Sequence, residues 1–408
     1  MRTFLKPLFS LYHWCWALAG ALAYQFPSRH LKVIGVTGTK GKSTTLALLA
    51  HILERAGHST AVLSSVSMKV GPHSERNRTG NTMPGRLFIQ KFLKQAAAAR
   101  CEYVLLEVTS QGILQHRHRF IAWDKAVFLD IHAEHIEAHG SFENYLDSKV
   151  SFFRYVASSG ERKNPQFFVN QSDPYADHFI RTAKEHTLIL FSPDDVQKLE
   201  GLSIPDTLEG AFNTINVAAA FAVARSEGVS LSTAVDAING FSGLAGRMEV
   251  IARSPFRIVV DYAHTPDSLR AVYDHLVATN PEGARLICVL GSCGGGRDKW
   301  KRPELGKITA QNCDAVILTN EDPFDEPPEQ IIEDIAAGCA QIQSSKSEIL
   351  KIVDRKEAIQ KAITLAREGD TIIITGKGAE EFIRVKGGKK VPWSDAEAVR
   401  ELMGDITK

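Results

Sequence analysis

The chain has 408 residues, 44% of them hydrophobic, enough for two or three domains with cores of their own. Its 48 basic and 47 acidic side chains nearly cancel, which excludes the strongly basic balance of a nucleic-acid binder. None of the six cysteines (Cys15, Cys101, Cys288, Cys293, Cys313, Cys339) stands in a C-x-x-C pair, so neither a zinc ribbon nor a disulfide framework is expected, and the pattern fits a reducing cytoplasm.

In chain order, residues 7–24, PLFSLYHWCWALAGALAY, come first and contain no Asp, Glu, Lys or Arg. Arg2 and Lys6 precede them; Arg29 and Lys32 follow. Ala21-Leu22-Ala23 mimics a signal-peptidase site. The run is nevertheless short for a bilayer span of roughly 20 residues, and it holds His13 and bulky aromatics. The reading is a helix packed on the protein or dipping into the inner face of a membrane. The next segment, LKVIGVTG, predicts a buried strand, followed by the loop TGTKGKSTT. CEYVLLEVTS, KAVFLDI and PQFFVNQSD predict three more strands, with helical patterns between them. GFSGLAGRMEV, at 240–250, reads as a glycine-rich hinge. After it come RIVVDYAH, RLICVLGS, DAVILTN and DTIIITGKG, each an apolar run ending in turn or polar residues. This alternation predicts an α/β fold with two mostly parallel sheets. The expected division is an appendage at 1–30, a P-loop-type central domain at 31–245 and a Rossmann-like domain at 246–408.

A strand, a glycine loop and a helix opening at Lys42-Ser43 make an anion site, because helix-start amides point outward and glycine lets backbone approach phosphate. Lys42 is placed to reach the β- and γ-phosphates, and the Ser43 hydroxyl to hold Mg²⁺. The usual G-x-x-x-x-G-K-[ST] pattern has glycine where this chain has Val36. The core Gly38, Thr39, Lys40, Gly41, Lys42, Ser43, Thr44 is kept.

GTKGKST resembles the loop of the Mur ligases, ATP-dependent ligases of peptidoglycan stem peptides. The resemblance continues in order through NTMPG (81–85), LEVTSQGILQHR (106–117), AEHIEAHGSFENYLDSK (133–149), GAFNTINVAAA (210–220), GRME (246–249) and DYAHTPD (261–267). GRDKWKRP, EDPF, GKGAEEF and PWSD complete it. The set is most similar to the family's tripeptide-synthetase type. It implies an ATP-dependent, ADP-forming amide ligase that joins an amino acid to a muramoyl-dipeptide through an acyl phosphate, as the third stem-peptide residue. It also implies two Mg²⁺ ions, with Glu107, His135 and a carbamylated Lys149 joining Ser43 as metal residues; a lysine beside a metal is repelled unless its charge is reversed. His139 remains a structural candidate. Asn213 and Asn216 match the adenine pair, Arg247 the γ-phosphate arginine and Asp261 the ribose ligand, with His264 beside the nucleotide. Both domains thus hold ATP. Thr82, Ser110, Gln115 and Arg117 match the acceptor site, and Arg297, Asp322, Gly376 and Glu380 the amino-acid site.

Three departures set further expectations. Only 30 residues precede the ATP loop, too few for the family's uridine-binding domain, so a lipid-linked or other non-UDP acceptor is the alternative. The D-N-P-R signature reads Glu321-Asp322-Pro323-Phe324. Phenylalanine cannot replace an arginine clamp on a distal carboxylate; L-lysine is therefore expected over meso-diaminopimelate, unless Lys377 or a residue outside the motifs supplies the cation. Finally, G-K-G-H-E reads Gly376-Lys377-Gly378-Ala379-Glu380, leaving Glu380 to meet a side-chain ammonium. A folylpolyglutamate-synthetase-like enzyme and a nucleotide-dependent regulatory subunit are the remaining readings. No nucleic-acid partner is expected, and ATP use places the chain in the cytoplasm.

Overall fold

The computed structural model describes residues 6–132, 139–296, 298–342 and 347–406. The chain divides into two compact units, Met1–Ser242 and Gly243–Lys408, with the boundary inside the glycine-rich stretch.

The first unit opens with helix α1 (Lys6–Ala23), followed by β1 (Lys32–Thr37), α2 (Lys42–Arg55), β2 (Thr60–Leu63), β3 (Ser67–Val70), β4 (His73–Arg76) and α3 (Arg86–Ala98). Then come β5 (Tyr103–Val108), α4 (Ser110–Leu114), β6 (Trp123–Phe128), α5 (Phe142–Ser158), β7 (Gln166–Asn170), α6 (Ala176–Ala183), β8 (Thr187–Phe191), α7 (Ala211–Ser226) and α8 (Leu231–Asn239). The sheet order is β4-β3-β2-β5-β1-β6-β7-β8. Its five pairings from β2 to β8 are parallel, and β3 and β4 add an antiparallel edge. A parallel sheet covered on both faces needs continuous apolar strands, and β1, β2, β5 and β6 supply them. Leu46, Leu49, Leu53, Val217 and Ile238 of α2, α7 and α8 cover one face. Phe92, Leu93, Phe152, Phe153 and Phe179 of α3, α5 and α6 cover the other. Each such side chain contributes about 1.5–3 kcal/mol on burial.

Helix α1 packs on α3. Ala17 and Ala21 are buried, and Gly20 lets it approach the Leu87 backbone of α3. Ser10 Oγ lies 2.7 Å from His116 Nε2, and His13 Nδ1 meets the Arg86 guanidinium. Among the described residues no helix is long and apolar enough to cross a membrane.

The second unit holds β9 (Glu249–Ala252), β10 (Arg257–Val260), α9 (Pro266–Thr279), β11 (Leu286–Leu290), α10 (Lys301–Asn312), β12 (Ala315–Leu318), α11 (Pro328–Cys339) and β13 (Glu348–Lys351). It ends with α12 (Arg355–Leu365), β14 (Thr371–Ile374), β15 (Phe382–Val385), β16 (Lys389–Pro392) and α13 (Asp395–Ile406). Its sheet runs β13-β12-β11-β14-β10-β9, with β15–β16 a separate hairpin. One cysteine expectation needs correction: Cys288 and Cys313 form a disulfide, with Cα atoms 6.1 Å apart. They are 25 residues apart in sequence, but helix α10 returns the chain to the strand beside β11, which brings them together.

Candidate active site

Strands β5, β1 and β6 are adjacent, so their C-terminal ends converge, as ligand sites of parallel sheets do. The glycine loop leaves β1 there. Gly41 caps α2 with φ +76°, and a Cβ on it would lie 2.0 Å from Asn216 Oδ1; only glycine fits. No helical carbonyl precedes the amides of Lys42, Ser43 and Thr44, which leaves them facing the loop. Asp130, just past β6, shapes that loop: its Oδ1 accepts from Thr39 N at 2.6 Å and Lys40 N at 2.9 Å. The expected nucleotide-binding amides of Thr39 and Lys40 therefore hold the loop in place. Lys42 Nζ donates to the carbonyls of Gly38 and Thr39, each at 2.9 Å.

Glu107 lies opposite Val36 across the β1–β5 ladder. The Ser43 hydroxyl donates to its Oε1, while Oε2 accepts from Ser65 N at 2.9 Å. Ser65 Oγ is 2.8 Å from Ser43 Oγ. Two hydroxyls and a carboxylate thus meet beside Lys42, an all-oxygen set suited to a hard cation. Lys149, on α5, is buried. Its Nζ donates to Gly38 O at 2.5 Å and sits 4.9 Å from the Tyr145 ring centroid. Tyr145 OH in turn lies 3.0 Å from Thr39 Oγ1. His135 lies outside the described residues. His139 Nε2 is 3.1 Å from Ser110 Oγ, and its ring packs on Tyr145. The asparagine pair braces the loop helix: Asn216 Nδ2 donates to Asn213 Oδ1 at 2.9 Å, and Asn216 Oδ1 accepts from Thr45 at 3.2 Å.

The acceptor candidates gather around α4. Arg117 donates to Gln115 Oε1 at 2.6 Å and to the carbonyl of Met83, the residue after Thr82. Arg86 Nε donates to Gln115 O at 2.8 Å. Burial and neighbouring Arg119 hold His116 down at about 4, with His13 and Arg86 adding to the effect. His118 is held at about 3 by burial and Arg119.

In the second unit, Gly246 and Gly378 meet backbone to backbone, both at positive φ; a Cβ on Gly246 would lie 2.0 Å from Ala379 N. The GRME and GKG motifs are therefore one interlocked structure. Arg247 lies 4.3 Å from the Tyr262 ring centroid, and His264 stacks edge-on against the same ring. Asp261, whose carboxyl burial pushes up, accepts from Met248 N at 2.8 Å and Ala263 N at 2.7 Å.

Arg297 lies outside the described residues. Gly376 packs against Glu321, whose buried carboxyl is pushed up by desolvation, against the pull of Lys301, Lys377 and Arg355. The acidic groups expected to meet a substrate ammonium already have cations. Lys377 Nζ donates to Asp322 Oδ1 at 2.7 Å and Glu380 Oε2 at 2.5 Å. Arg384, on β15 and outside every motif quoted above, donates to Asp322 Oδ2 at 2.7 Å. Its guanidinium lies 5.9 Å from the Phe324 ring centroid. A second cation thus stands beside the position where the motif arginine is missing. Asp130, Ser65 and Arg384 went unmarked in the sequence; only the place of Asp130 at a strand end offered a signal.

The chain matches the Mur ligase middle domain over residues 36–224 and the Mur ligase glutamate ligase domain over 246–378. It is 34% identical to a UDP-N-acetylmuramoyl-L-alanyl-D-glutamate–2,6-diaminopimelate ligase of Gloeobacter violaceus, over 95% of this chain and 80% of that one. The chain belongs to the Mur ligase family. A UDP-N-acetylmuramyl-tripeptide synthetase of Roseiflexus sp. is also 34% identical, across 95% of this Mur ligase and 81% of the relative. A solved UDP-N-acetylmuramoyl-L-alanyl-D-glutamate–2,6-diaminopimelate ligase superposes with TM-score 0.63 at 28% identity, covering 93% of this chain and 79% of that one. Mycobacterium tuberculosis folylpolyglutamate synthase shares the fold, with TM-score 0.71 at 15% identity over 95% and 94% of the two chains. This Mur ligase is an ATP-dependent amino-acid ligase with the α/β fold its sequence predicts.

Proposed function

We propose that this Mur ligase adds the third stem-peptide residue to a muramoyl-dipeptide in peptidoglycan synthesis, in the cytoplasm. The observation that carries the reading is the meeting of Ser43, Ser65 and Glu107 oxygens beside Lys42. Phosphoryl transfer to a carboxylate crowds negative charge, and catalysis consists of placing cations where that charge grows. Mg²⁺ held by Ser43 and Glu107, and at a second position by His135 and carbamylated Lys149, supplies that neutralisation when bound. Lys42 faces the transferred phosphoryl group, and Asp130 keeps the loop amides fixed. The buried Lys149 amine lies on the loop carbonyl of Gly38, so its conversion by CO₂ to a carbamate, with loss of a proton, places a carboxylate-like group beside the phosphates. Asn213 and Asn216 serve the adenine, Arg247 the γ-phosphate and Asp261 the ribose, with His264 alongside. Thr82, Ser110, Gln115 and Arg117 orient the acceptor carboxyl.

For the incoming amino acid, Arg384 changes the expectation drawn from Phe324. The motif lacks a cation, but β15 supplies one, held on Asp322 while Lys377 bridges Asp322 and Glu380. Arg384 is therefore assigned to the distal carboxylate of a diamino-dicarboxylic acid such as meso-diaminopimelate. Phosphate release tests the function: it requires ATP, acceptor and amino acid together, with a product heavier by one residue in the mass spectrum. Release that needs no amino acid overturns the ligase assignment in favour of a nucleotide-dependent switch.

A further inference from the structure

Helix α1 buries one face and leaves another bare. Ala17, Gly20 and Ala21 lie against α3, whereas Leu8, Phe9, Leu11, Tyr12, Trp16 and Leu22 are each between 42% and 63% exposed. Beside them, Leu87 and Phe88 at the start of α3 are exposed as well. Exposed apolar residues scattered singly mean little, but a contiguous set marks an interaction site. Within these two helices the charges have one sign. Neither α1 nor α3 contains a carboxylate, and α3 carries Arg86, Lys91 and Lys94, the two lysines exposed.

We propose that the face formed by α1 and the start of α3 docks on an anionic phospholipid bilayer. A second copy of this chain fits less well, since a two-fold contact sets Lys91 and Lys94 near their own copies. A spanning helix is excluded by the buried face and by the ties of Ser10 to His116 and His13 to Arg86. What the face offers is the set a bilayer surface takes: leucines and Phe9 for the acyl boundary, Tyr12 and Trp16 for the headgroup level, and lysines for lipid phosphates. The same ties join α1 to the segment 115–117, so docking sets the acceptor loop close to the lipid. This placement has meaning for substrate choice only if the ligase reading above holds; docking itself does not depend on it.

The test is sedimentation of the full chain with vesicles of phosphatidylcholine alone or mixed with phosphatidylglycerol. Binding is expected on the anionic vesicles, weakening as salt is raised. Replacing Leu8, Phe9, Leu11 and Tyr12 together by serine lowers partitioning at least about tenfold. Lys91→Glu with Lys94→Glu does the same by another route, at positions away from the nucleotide loop. A chain that stays in the supernatant with anionic vesicles, or binds them as well with both lysines reversed, overturns the proposal. So does a concentration-dependent dimer abolished by the serine substitutions without vesicle binding, which identifies a second copy as the occupant. Since vesicle binding is read without turnover, its failure leaves the ligase reading untouched, and the reverse holds.

Discussion

Single atoms decide most of the chemistry at the glycine loop. Lys42→Ala removes the cation proposed to face the transferred phosphoryl group, at a half-buried position whose amine is held by the carbonyls of Gly38 and Thr39. Turnover is expected to fall well below a tenth of wild type with the melting temperature nearly unchanged, as phosphate release and circular dichroism measure. Lys149→Ala is expected to be nearly inactive and to regain activity with formate or acetate, which would occupy the place of the proposed carbamate; absence of rescue across a concentration series removes the carbamate from the proposal. For Arg384→Ala, competition between meso-diaminopimelate and L-lysine at equal concentration is the measurement. The ratio is expected to shift at least about tenfold toward L-lysine, because a buried distal carboxylate loses its partner; an unshifted ratio shows that the clamp lies elsewhere. Residues 321–324 contain no arginine, and Arg384 enters no local pattern because it comes from a hairpin 60 residues on.

At the scale of elements, burial and arginines keep two histidines after α4 neutral: His116, which meets Ser10 of α1, and His118, which packs on Phe152 and Tyr155 of α5. Unfolded, His118 titrates at its ordinary value near 6.5; folded, it does so at about 3. Between those values the unfolded chain binds the proton and the folded one does not, so stability is complete above about pH 6.5 and falls as pH drops toward 3. At pH 5 the loss from His118 alone is about 2 kcal/mol. His116, held at about 4, moves in the same direction. A melting temperature lower by at least about 4 °C at pH 5 than at pH 7.5 is expected, and His118→Phe is expected to flatten the difference. The element pattern itself was readable where burial is two-sided: β1, β5, β6, β10, β11, β12 and β14 are apolar runs. The edge pieces β3, β4, β15 and β16 escaped because SMKV, HSER, FIRV and KKVP each carry charge and break every apolar template.

On the scale of the whole molecule, each unit has a sheet and a buried core of its own. A fragment of residues 243–408 is therefore expected to unfold in one cooperative transition by calorimetry; a fragment without a transition shows that the second core is incomplete alone. A glycine-rich stretch separating two series of βα units was legible in the sequence. The neighbour of α1 was not, since 18 residues without charge support a helix packed on the protein without naming the surface it packs on.

The strand order has a consequence for the chain's history. Strand β1 sits between β5 and β6, and the parts around its loop come from far along the chain: Glu107, Asp130, Lys149 and finally Asn216. On a ribosome adding 5–20 residues per second, roughly 10–35 seconds separate Lys42 from Asn216. During that interval the glycine loop lacks the asparagine pair that braces its helix. The proposed site is therefore expected to be completed late, with helix α7 and after the last strand of the sheet, β8.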